Sequence, residues 1–206
     1  MVDEVGPTDL ELVRRIKAGD EKAFEEMVQR YHARVYSLSY GVLRNAEDAE
    51  EATQDTFLTL SRKISTFDES RKFFSWFYRV ALNSAYSRAR RRREIPTVPI
   101  EDHMPRFGAD GHVAGAQIRD WSVAIEDEAA ARELARRAEE FIAELSPIYR
   151  DVIWMSDVEE MPAADVAETL EISIPAFKSR LHRARLYVRQ RLEEVSGAPA
   201  RAEAAG

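Results

Sequence analysis

The residues with the clearest capacity for chemistry are charged side chains set at helical spacing. Asp48, Glu51 and Asp55 recur at i, i+3 and i+7, which places three carboxylates along one exposed face of a predicted helix. Such a face can bind a cationic partner, provided that it is reachable from outside, or it can simply be solvated. A calcium site is a poorer interpretation, because a helix cannot wrap its carboxylates around the ion and the glycine of an EF-hand loop is missing.

A basic stripe follows on the next predicted helix, where polar and cationic side chains step by 4, 3, 4 and 3: Arg79, Asn83, Tyr86, Arg90 and Arg93. Exposed or half-exposed aromatic surface is predicted near the start of that helix from Phe74, Trp76 and Tyr78. Stacking of an unpaired base on an aromatic ring contributes roughly 1–3 kcal/mol, and arginines bind the phosphates, so the pattern favours nucleic acid with unstacked bases. The alternatives are that the aromatics are core, as we expect for Phe73 and Phe77, and that the arginine run is a basic linker edge.

A short helix, a tight turn and a longer amphipathic helix follow one another over residues 162–195. These are the parts of a helix-turn-helix, whose second helix enters the major groove of DNA. Ser173 is the predicted N-cap of that helix, and Pro175 lies in its first turn, where a missing N–H costs nothing. The predicted buried stripe consists of Phe177, Leu181, Ala184, Val188 and Leu192. The opposite side carries Ser179, His182, Arg183 and Gln190, flanked by Lys178, Arg180 and Arg185; an ordinary solvated basic face is the alternative interpretation.

Charge is segregated along the chain, although the net charge of −7 by itself argues against a nucleic-acid binder. Residues 71–93 hold eight basic residues and no acid, and residues 174–192 hold six basic residues and no acid. Residues 94–128 hold eight acids and two bases. The chain has no cysteine, and its four histidines lack ligand spacing, so the sequence argues against a metal site.

Other function classes lack their signatures. No glycine-rich phosphate loop and no nucleophile paired with a histidine occur, which argues against an α-helical hydrolase or nucleotide enzyme. The first seven residues are acidic and lack the apolar segment of a signal peptide, and no apolar run approaches the roughly 20 residues that span a bilayer. We therefore expect a cytoplasmic protein without membrane insertion.

The elements that must position these residues are all helical, because helical periodicity recurs along the chain and strand signals are nearly absent. The predicted fold class is all-α, with two small helical domains joined by a flexible linker. Asp20 and Asn45 are predicted N-caps of the first two long helices, and Ser146-Pro147 breaks the helical pattern further on. The predicted divisions are residues 8–93, an acidic linker over 94–128, a helix-turn-helix domain over 129–195 and a flexible tail over 196–206.

Three segments, taken in order, resemble a bacterial sigma factor of the extracytoplasmic-function type, in the sigma-70 family. They are DAEEATQDTF, FFSWFYRVALNSAYSRARRRR and ELSPIYRDVIWMSDVEEMPAADVAETLEISIPAFKSRLHRAR. The resemblance covers about residues 9–93 and 134–194. Two departures stand out: Glu171 replaces the glycine common in the turn of the helix-turn-helix, and Leu60-Ser61 stands where the family often has tryptophan.

The resemblance implies three binding surfaces. The surface for the clamp coiled coil of core RNA polymerase would consist of Asp48, Glu51, Gln54, Asp55 and Phe57. The surface for the minus-ten promoter element would consist of Arg71, Lys72, Trp76, Arg79, Asn83, Arg90 and Arg91. The surface for the minus-thirty-five element would consist of Ser173, Ala176, Lys178, Ser179, Arg180, His182 and Arg183.

The implied function is promoter-specific transcription initiation with core RNA polymerase, with promoter DNA and an anti-sigma protein as further partners. The chain would not be an enzyme and would need no cofactor, metal or small-molecule substrate. The alternative is a stand-alone helix-turn-helix regulator, which leaves the acidic residues Asp48, Glu51 and Asp55 without a role.

Overall fold

The computed structural model describes residues 6–92 and 128–195, and no β-strand occurs in these two ranges. Eight α-helices are present in them: α1 (Asp9–Lys17), α2 (Glu21–Leu43), α3 (Ala46–Lys63), α4 (Phe73–Arg92), α5 (Glu128–Glu144), α6 (Pro147–Ile153), α7 (Ala163–Thr169) and α8 (Ile174–Val195). A 3₁₀ turn (Ile64–Thr66) follows α3, and a π-helical turn (Trp154–Val158) follows α6. The all-α prediction is confirmed. The predicted tail and nearly all of the predicted linker lie outside the described residues.

Side-chain caps fix where the helices begin. Asp20 accepts a hydrogen bond from the backbone N–H of Ala23 at 3.2 Å, and Asn45 accepts one from Asp48 at 2.9 Å. These bonds satisfy amide groups that the first helical turn leaves without partners, and they confirm both predicted caps. Helix α1, which was not predicted from the sequence, begins with a capping box at Thr8.

The described residues up to 92 and the segment 154–177 form one compact unit. Its centre is a cluster of aromatic rings from three helices. The ring of Phe77 in α4 lies 5.5 Å from the rings of Tyr31 in α2 and Phe57 in α3, and 5.4 Å from that of Phe73. The predicted core positions Phe73 and Phe77 are confirmed. The prediction that Tyr78 offers exposed surface is wrong, because its side chain is fully buried and its ring packs 4.3 Å from that of Phe74.

The segment 154–177 joins this unit through a close approach at Gly41. A Cβ built on Gly41 would lie 2.5 Å from two ring atoms of Trp154, so only glycine lets the indole lie against α2. Beside it, Nε of Arg34 lies 3.9 Å from the buried carboxylate of Glu159, and α7 packs on α4. The first two of these contacts anchor the π-helical turn and the residues after it to α2.

The second unit contains α5, α6 and residues 178–195 of α8. Its apolar interior includes Phe141, Leu145 and Val152. The hydroxyl of Tyr187 donates a hydrogen bond to Glu144 at 2.8 Å, which links α8 to α5. The predicted break at Ser146-Pro147 is confirmed, because α6 begins at Pro147.

None of the helices in the described ranges combines the length and apolar character that crossing a bilayer requires.

Replacing Gly41 with alanine tests the close approach to Trp154. In an ordinary helix interior this substitution stabilises by roughly 0.5–1 kcal/mol. Here we expect a loss of about 1–3 kcal/mol in the free energy of unfolding, because the new methyl group overlaps the indole. Urea denaturation measures the change, and Gly6→Ala, whose Cβ would meet nothing closer than 4.0 Å, is the control. An unchanged or increased stability of Gly41→Ala would contradict the packing.

Replacing Glu159 with glutamine tests the burial of its carboxylate. Burial raises the pKa of the Glu159 carboxyl above its ordinary value of 4.5. The unfolded chain therefore loses this proton at a lower pH than the folded chain, and the stability contributed at low pH is lost as pH rises above about 4.5. We expect Glu159→Gln to flatten that part of the profile of unfolding free energy against pH, measured by urea denaturation between pH 4 and 8. The exposed neighbour Glu160→Gln should leave the profile unchanged; identical profiles for the two variants would refute the assignment.

Candidate nucleic-acid and protein interfaces

The side of α3 that carries Asp48, Glu51 and Asp55 is only partly exposed. Glu51 is 48% exposed as a side chain, and Gln54 is also exposed, whereas Asp55 is half-buried. Asp48 is 2% exposed, so the prediction that it shares an exposed face with Glu51 is wrong. The spacing of these residues correctly puts them on one side of α3, but the side chain of Arg88 from α4 covers that side at Asp48.

Arg88 binds two of the carboxylates at once. Its Nε donates a hydrogen bond to Asp48 at 2.7 Å, and its guanidinium also pairs with Glu51. The hydrogen bond that Arg88 donates to Asp48 raises the pKa of the guanidinium, which therefore stays ionised. The sequence analysis treated Arg88 only as part of a basic run. Arg88 does not share the helical spacing of Arg79 and Asn83, so it lies on another side of α4. This spacing was the sequence signal that Arg88 has a different contact.

Four residues of α3 remain exposed on and beside this side and together form the acidic face: Glu47, Glu51, Gln54 and Leu58. Leu58 is 52% exposed and places an apolar side chain next to the carboxylates. Phe57, which the resemblance assigned to this surface, is 8% exposed and packs against Phe77 in the core. It therefore supports α3 from inside and does not offer its ring to a partner.

The loop before α4 is held in place from two sides. Within the loop, Asp68 accepts a hydrogen bond from the backbone N–H of Ser70 at 3.0 Å. From α1, Arg14 and Lys17 bind the carboxylate of Glu69 at 2.8 and 3.0 Å, and Lys17 also donates to the carbonyl of Phe67 at 2.9 Å. These contacts present the exposed side chains of Arg71 and Lys72 at the start of α4.

Trp76 lies half-buried beside this loop. Its ring packs 5.2 Å from that of Phe67 and 5.9 Å from that of Phe73. Further along α4, Asn83, Arg90 and Arg91 are exposed. The loop and α4 thus bring together an aromatic ring backed by the core and a row of polar and cationic groups. Arg93, the last residue of the predicted stripe, lies outside the described residues.

A groove of about 400 Å³ runs between α3 and α4. It is lined by Asp55 and Arg62 from α3 and by Asn83, Ser87 and Arg91 from α4, among others. The groove therefore connects the edge of the acidic face with the row of cations on α4.

Two of the predicted minus-ten residues have acidic partners from the helix-turn-helix. The ammonium of Lys72 pairs with Asp165 of α7, and the guanidinium of Arg79 pairs with Glu171 in the turn after α7. Arg79 also approaches the carbonyl of Glu168, at 3.5 Å. Both cations are therefore paired with acidic residues of the same compact unit, although the side chain of Lys72 remains 59% exposed.

The turn of the helix-turn-helix has an unusual backbone at Glu171. Its φ is 54°, in the left-handed region, where a side chain costs roughly 1 kcal/mol compared with glycine. The following helix begins as predicted, because the hydroxyl of Ser173 accepts a hydrogen bond from the backbone N–H of Ala176 at 3.3 Å. Val166 and Ala167 of α7 are buried, and Leu170 and Ile172 are half-buried.

The outward side of α8 carries most of the predicted minus-thirty-five residues. Ser173, Lys178, Ser179 and His182 are exposed, and Ala176, Arg180 and Arg183 are half-buried. The predicted inward stripe is confirmed, with all five of its members buried: Phe177, Leu181, Ala184, Val188 and Leu192. A guanidinium nitrogen of Arg183 lies 3.5 Å from the hydroxyl of Tyr149. This contact directs part of Arg183 toward its own unit.

The described ranges contain no group of three or more His, Cys, Asp or Glu residues arranged to hold a metal ion. The geometry is instead that of two charged surfaces on adjacent helices, α3 and α4, and of a helix-turn-helix.

Comparisons with known proteins agree on one family. The model of sigma-70 region 2 matches residues 27–95, and that of sigma-70 region 4 matches residues 135–188. The chain is 31% identical to the ECF RNA polymerase sigma factor SigW of Bacillus subtilis, with 89% of this chain and 96% of the relative covered. It is also 31% identical to the ECF RNA polymerase sigma-E factor of Haemophilus influenzae, with 91% and 97% covered.

Solved structures agree with the fold. The structure of CnrH in complex with the cytosolic domain of CnrY matches with a TM-score of 0.63 and 23% identity, covering 90% of this chain and 97% of that one. The sigma factor RpoE in complex with the anti-sigma factor NepR, from Bartonella quintana, matches with a TM-score of 0.56 and 21% identity, covering 86% and 98%.

The ion pair of Arg88 and Asp48 predicts unequal effects for two neighbouring acids. Replacing Asp48 with alanine leaves Arg88 without its buried partner, and we expect a loss of roughly 2–4 kcal/mol in unfolding free energy, below that for a fully buried pair because Arg88 stays partly exposed. Replacing the half-exposed Glu51 with alanine should cost less than about 1 kcal/mol. Guanidinium denaturation measures both, and equal small losses would show that the Asp48 pair is not structural.

Proposed function

Because this chain belongs to the ECF RNA polymerase sigma factors of the sigma-70 family, we propose that its acidic face, its α4 helix and its helix-turn-helix divide the work of promoter-specific initiation. As a sigma factor it binds core RNA polymerase and directs initiation at promoters. The observation that carries the division is the placement of oppositely charged surfaces on the adjacent helices α3 and α4. A stand-alone regulator has no need of the acidic one.

The acidic face is the proposed docking surface for the cationic clamp coiled coil of the polymerase. Glu51 and Gln54 are its polar centre, and Leu58 adds apolar area that binding would remove from solvent. The guanidinium of Arg88 partly neutralises the carboxylate of Glu51 and holds it in one position. The carboxylate is therefore oriented before binding. Asp48 acts indirectly, by holding Arg88 in place, and Asp55 lies at the edge of this surface.

The loop before α4 and the first turns of α4 form the proposed minus-ten surface. Bases that leave the duplex stack would be captured beside Trp76, whose ring is already supported by Phe67 and Phe73. Each stacked base contributes roughly 1–3 kcal/mol, which offsets the cost of unstacking it. Asn83 offers hydrogen bonds to base edges or backbone, and the cations of this surface bind phosphates: Arg71, Lys72, Arg79, Arg90 and Arg91.

The start of α8 is the proposed minus-thirty-five reader in duplex DNA. Short polar side chains at Ser173 and Ser179, with Ala176 between them, permit close approach to base edges in the major groove. Lys178, Arg180, His182 and Arg183 surround them with donors for phosphates and guanines.

The proposed domain limits are residues 8–93 for docking and the minus-ten element, 94–128 for the linker, 129–195 for the minus-thirty-five element and 196–206 for the tail. The two family matches, at 27–95 and 135–188, support a division of this kind.

The chemistry of RNA synthesis belongs to the polymerase in this proposal, and the chain itself is an initiation factor without a catalytic site. Its place of action is that of the polymerase and the chromosome, the cytoplasm. An anti-sigma protein is the proposed inhibitor, supported by the sigma factor of similar fold that was solved with its anti-sigma partner.

A charge change on the acidic face tests the docking proposal. We expect the double variant Glu51→Gln/Gln54→Lys to bind core polymerase from the same host at least about tenfold more weakly, because it makes this face more positive by two charges opposite a cationic partner. Binding is measured by fluorescence anisotropy of the chain labelled at its N-terminus. Glutamine at position 51 retains a hydrogen-bond acceptor for Arg88, which keeps α3 and α4 together.

The matched control is Glu25→Lys, which adds the same two charges at an exposed site on α2. Run-off transcription from a genomic promoter library should follow polymerase affinity in all three proteins. Equal affinities for the double variant and the control would refute the assignment of the acidic face, and an absence of start-site-specific RNA with the unaltered chain would refute the proposed function as a whole.

A further inference from the structure

The loop before α4 contains as many acids as bases, although it belongs to a surface that is proposed to bind a DNA strand. Within residues 66–72, Asp68 and Glu69 stand against Arg71 and Lys72, so the loop has no net positive charge of its own. A carboxylate beside a phosphate repels it, and such like-charge contacts are costly. The loop therefore needs cations from another element in order to bind a strand.

Helix α1 supplies two cations, and both are directed at Glu69. Nε of Arg14 lies 2.8 Å and Nζ of Lys17 lies 3.0 Å from the Glu69 carboxylate. The hydrogen bonds from Arg14 and Lys17 lower the pKa of the Glu69 carboxyl below its ordinary value, so it stays ionised and paired. With these two side chains included, four bases stand against two acids, a balance that suits a phosphate backbone.

Lys17 also holds the backbone of the loop at Phe67. Its ammonium donates a hydrogen bond to the carbonyl of Phe67 at 2.9 Å and lies 5.8 Å from the centroid of the Phe67 ring. Only 23% of the Lys17 side chain is exposed, so these contacts are partly shielded from salt. The Phe67 ring packs 5.2 Å from that of Trp76, beside which unpaired bases are proposed to stack. One side chain therefore separates Lys17 from the base-stacking residue.

Hydrogen bonds within the loop shape its turn but join residues that are close in the sequence. The carboxylate of Asp68 accepts from the backbone N–H of Ser70, and its carbonyl accepts from that of Arg71, each at 3.0 Å. The contacts from Arg14 and Lys17 instead join residues that lie 50 to 55 positions apart. They therefore fix where the turn lies within the compact unit.

We propose that Arg14 and Lys17 of α1 are positioning residues for the minus-ten strand. They neutralise Glu69 and, through Phe67, hold the ring of Trp76 in place. This inference rests on the proposed minus-ten surface. A loop that is fixed before binding loses less conformational freedom when the strand arrives, which favours the capture of unpaired bases. Helix α1 thus contributes to promoter binding, although the proposed reading residues lie after it in the sequence.

The test uses holoenzyme assembled from the full chain and core polymerase of the same host, with Lys17→Met as the variant. Methionine keeps the apolar stem and removes the ammonium. A promoter found by run-off transcription of a genomic library supplies two fluorescein-labelled probes. The short probe is a duplex with the minus-thirty-five element alone, and the extended probe adds a single-stranded minus-ten segment. We expect Lys17→Met to bind the extended probe about tenfold more weakly, which corresponds to the loss of about one stacked base, and to bind the short probe within about twofold.

Three further variants complete the comparison. Lys17→Arg keeps the charge and the donors, and it should restore binding of the extended probe to within about threefold. Arg14→Gln removes the more exposed of the two contacts and should weaken binding by about two- to threefold. The matched control is Lys22→Met, which removes an exposed ammonium at the start of α2 and should bind both probes within about twofold. Affinity for core polymerase, measured by anisotropy of the chain labelled at its N-terminus, should be the same for all four variants.

The variant Trp76→Ala separates this inference from the proposed function. A loss that is confined to the extended probe and reversed by Lys17→Arg supports the positioning role. If Lys17→Met binds this probe as well as Lys22→Met does, while Trp76→Ala weakens binding, the positioning role is overturned and the minus-ten surface stands. Equal losses on both probes, or a loss of polymerase affinity, also overturn it, because they indicate a general effect on the fold. If neither Lys17→Met nor Trp76→Ala affects the extended probe, the minus-ten assignment is wrong as well.

Discussion

The guanidinium of Arg88 is the point on which the N-terminal helices depend, because it joins α3 to α4 through the buried carboxylate of Asp48. A buried ion pair is costly to form, since both charges leave water, and it is costly to break for the same reason. This pair therefore fixes how α3 lies against α4. The acidic face and the row of cations are carried by these two helices, so their relative placement follows from one interaction between them.

The same guanidinium lies where the two charged surfaces meet. Carboxylates on α3 and guanidinium groups on α4 lie on neighbouring helices, and the guanidinium of Arg88 reaches the acids Asp48 and Glu51. The aromatic core around Phe77 packs α4 against α2 and α3 from inside. The exposed Glu51 on α3 and the exposed Arg90 and Arg91 on α4 leave charge of both signs at the surface, which suits a factor that binds a protein and DNA at the same time.

Local patterns predicted much of this structure from the sequence. The caps at Asp20, Asn45 and Ser173 and the buried stripe of α8 were predictable, because they depend on residues within one or two helical turns. The burial of Asp48 and Tyr78 was not, since periodicity assigns a residue to a side of a helix and does not say what covers that side. Pairs far apart in sequence, such as Lys72 with Asp165, depend on tertiary packing that no local spacing encodes.

The contacts between α1 and the loop before α4 determine where this protein can be shortened without loosening that loop. Arg14 and Lys17 hold Glu69, and Lys17 also holds the carbonyl of Phe67. The sigma-70 region 2 match begins only at residue 27, after α1 has ended. A fragment trimmed to the region 2 match would keep α4, which carries the proposed minus-ten residues, and would lose the contacts from α1 that hold the loop before α4. The part of the chain that holds this loop in place therefore begins before the region 2 match.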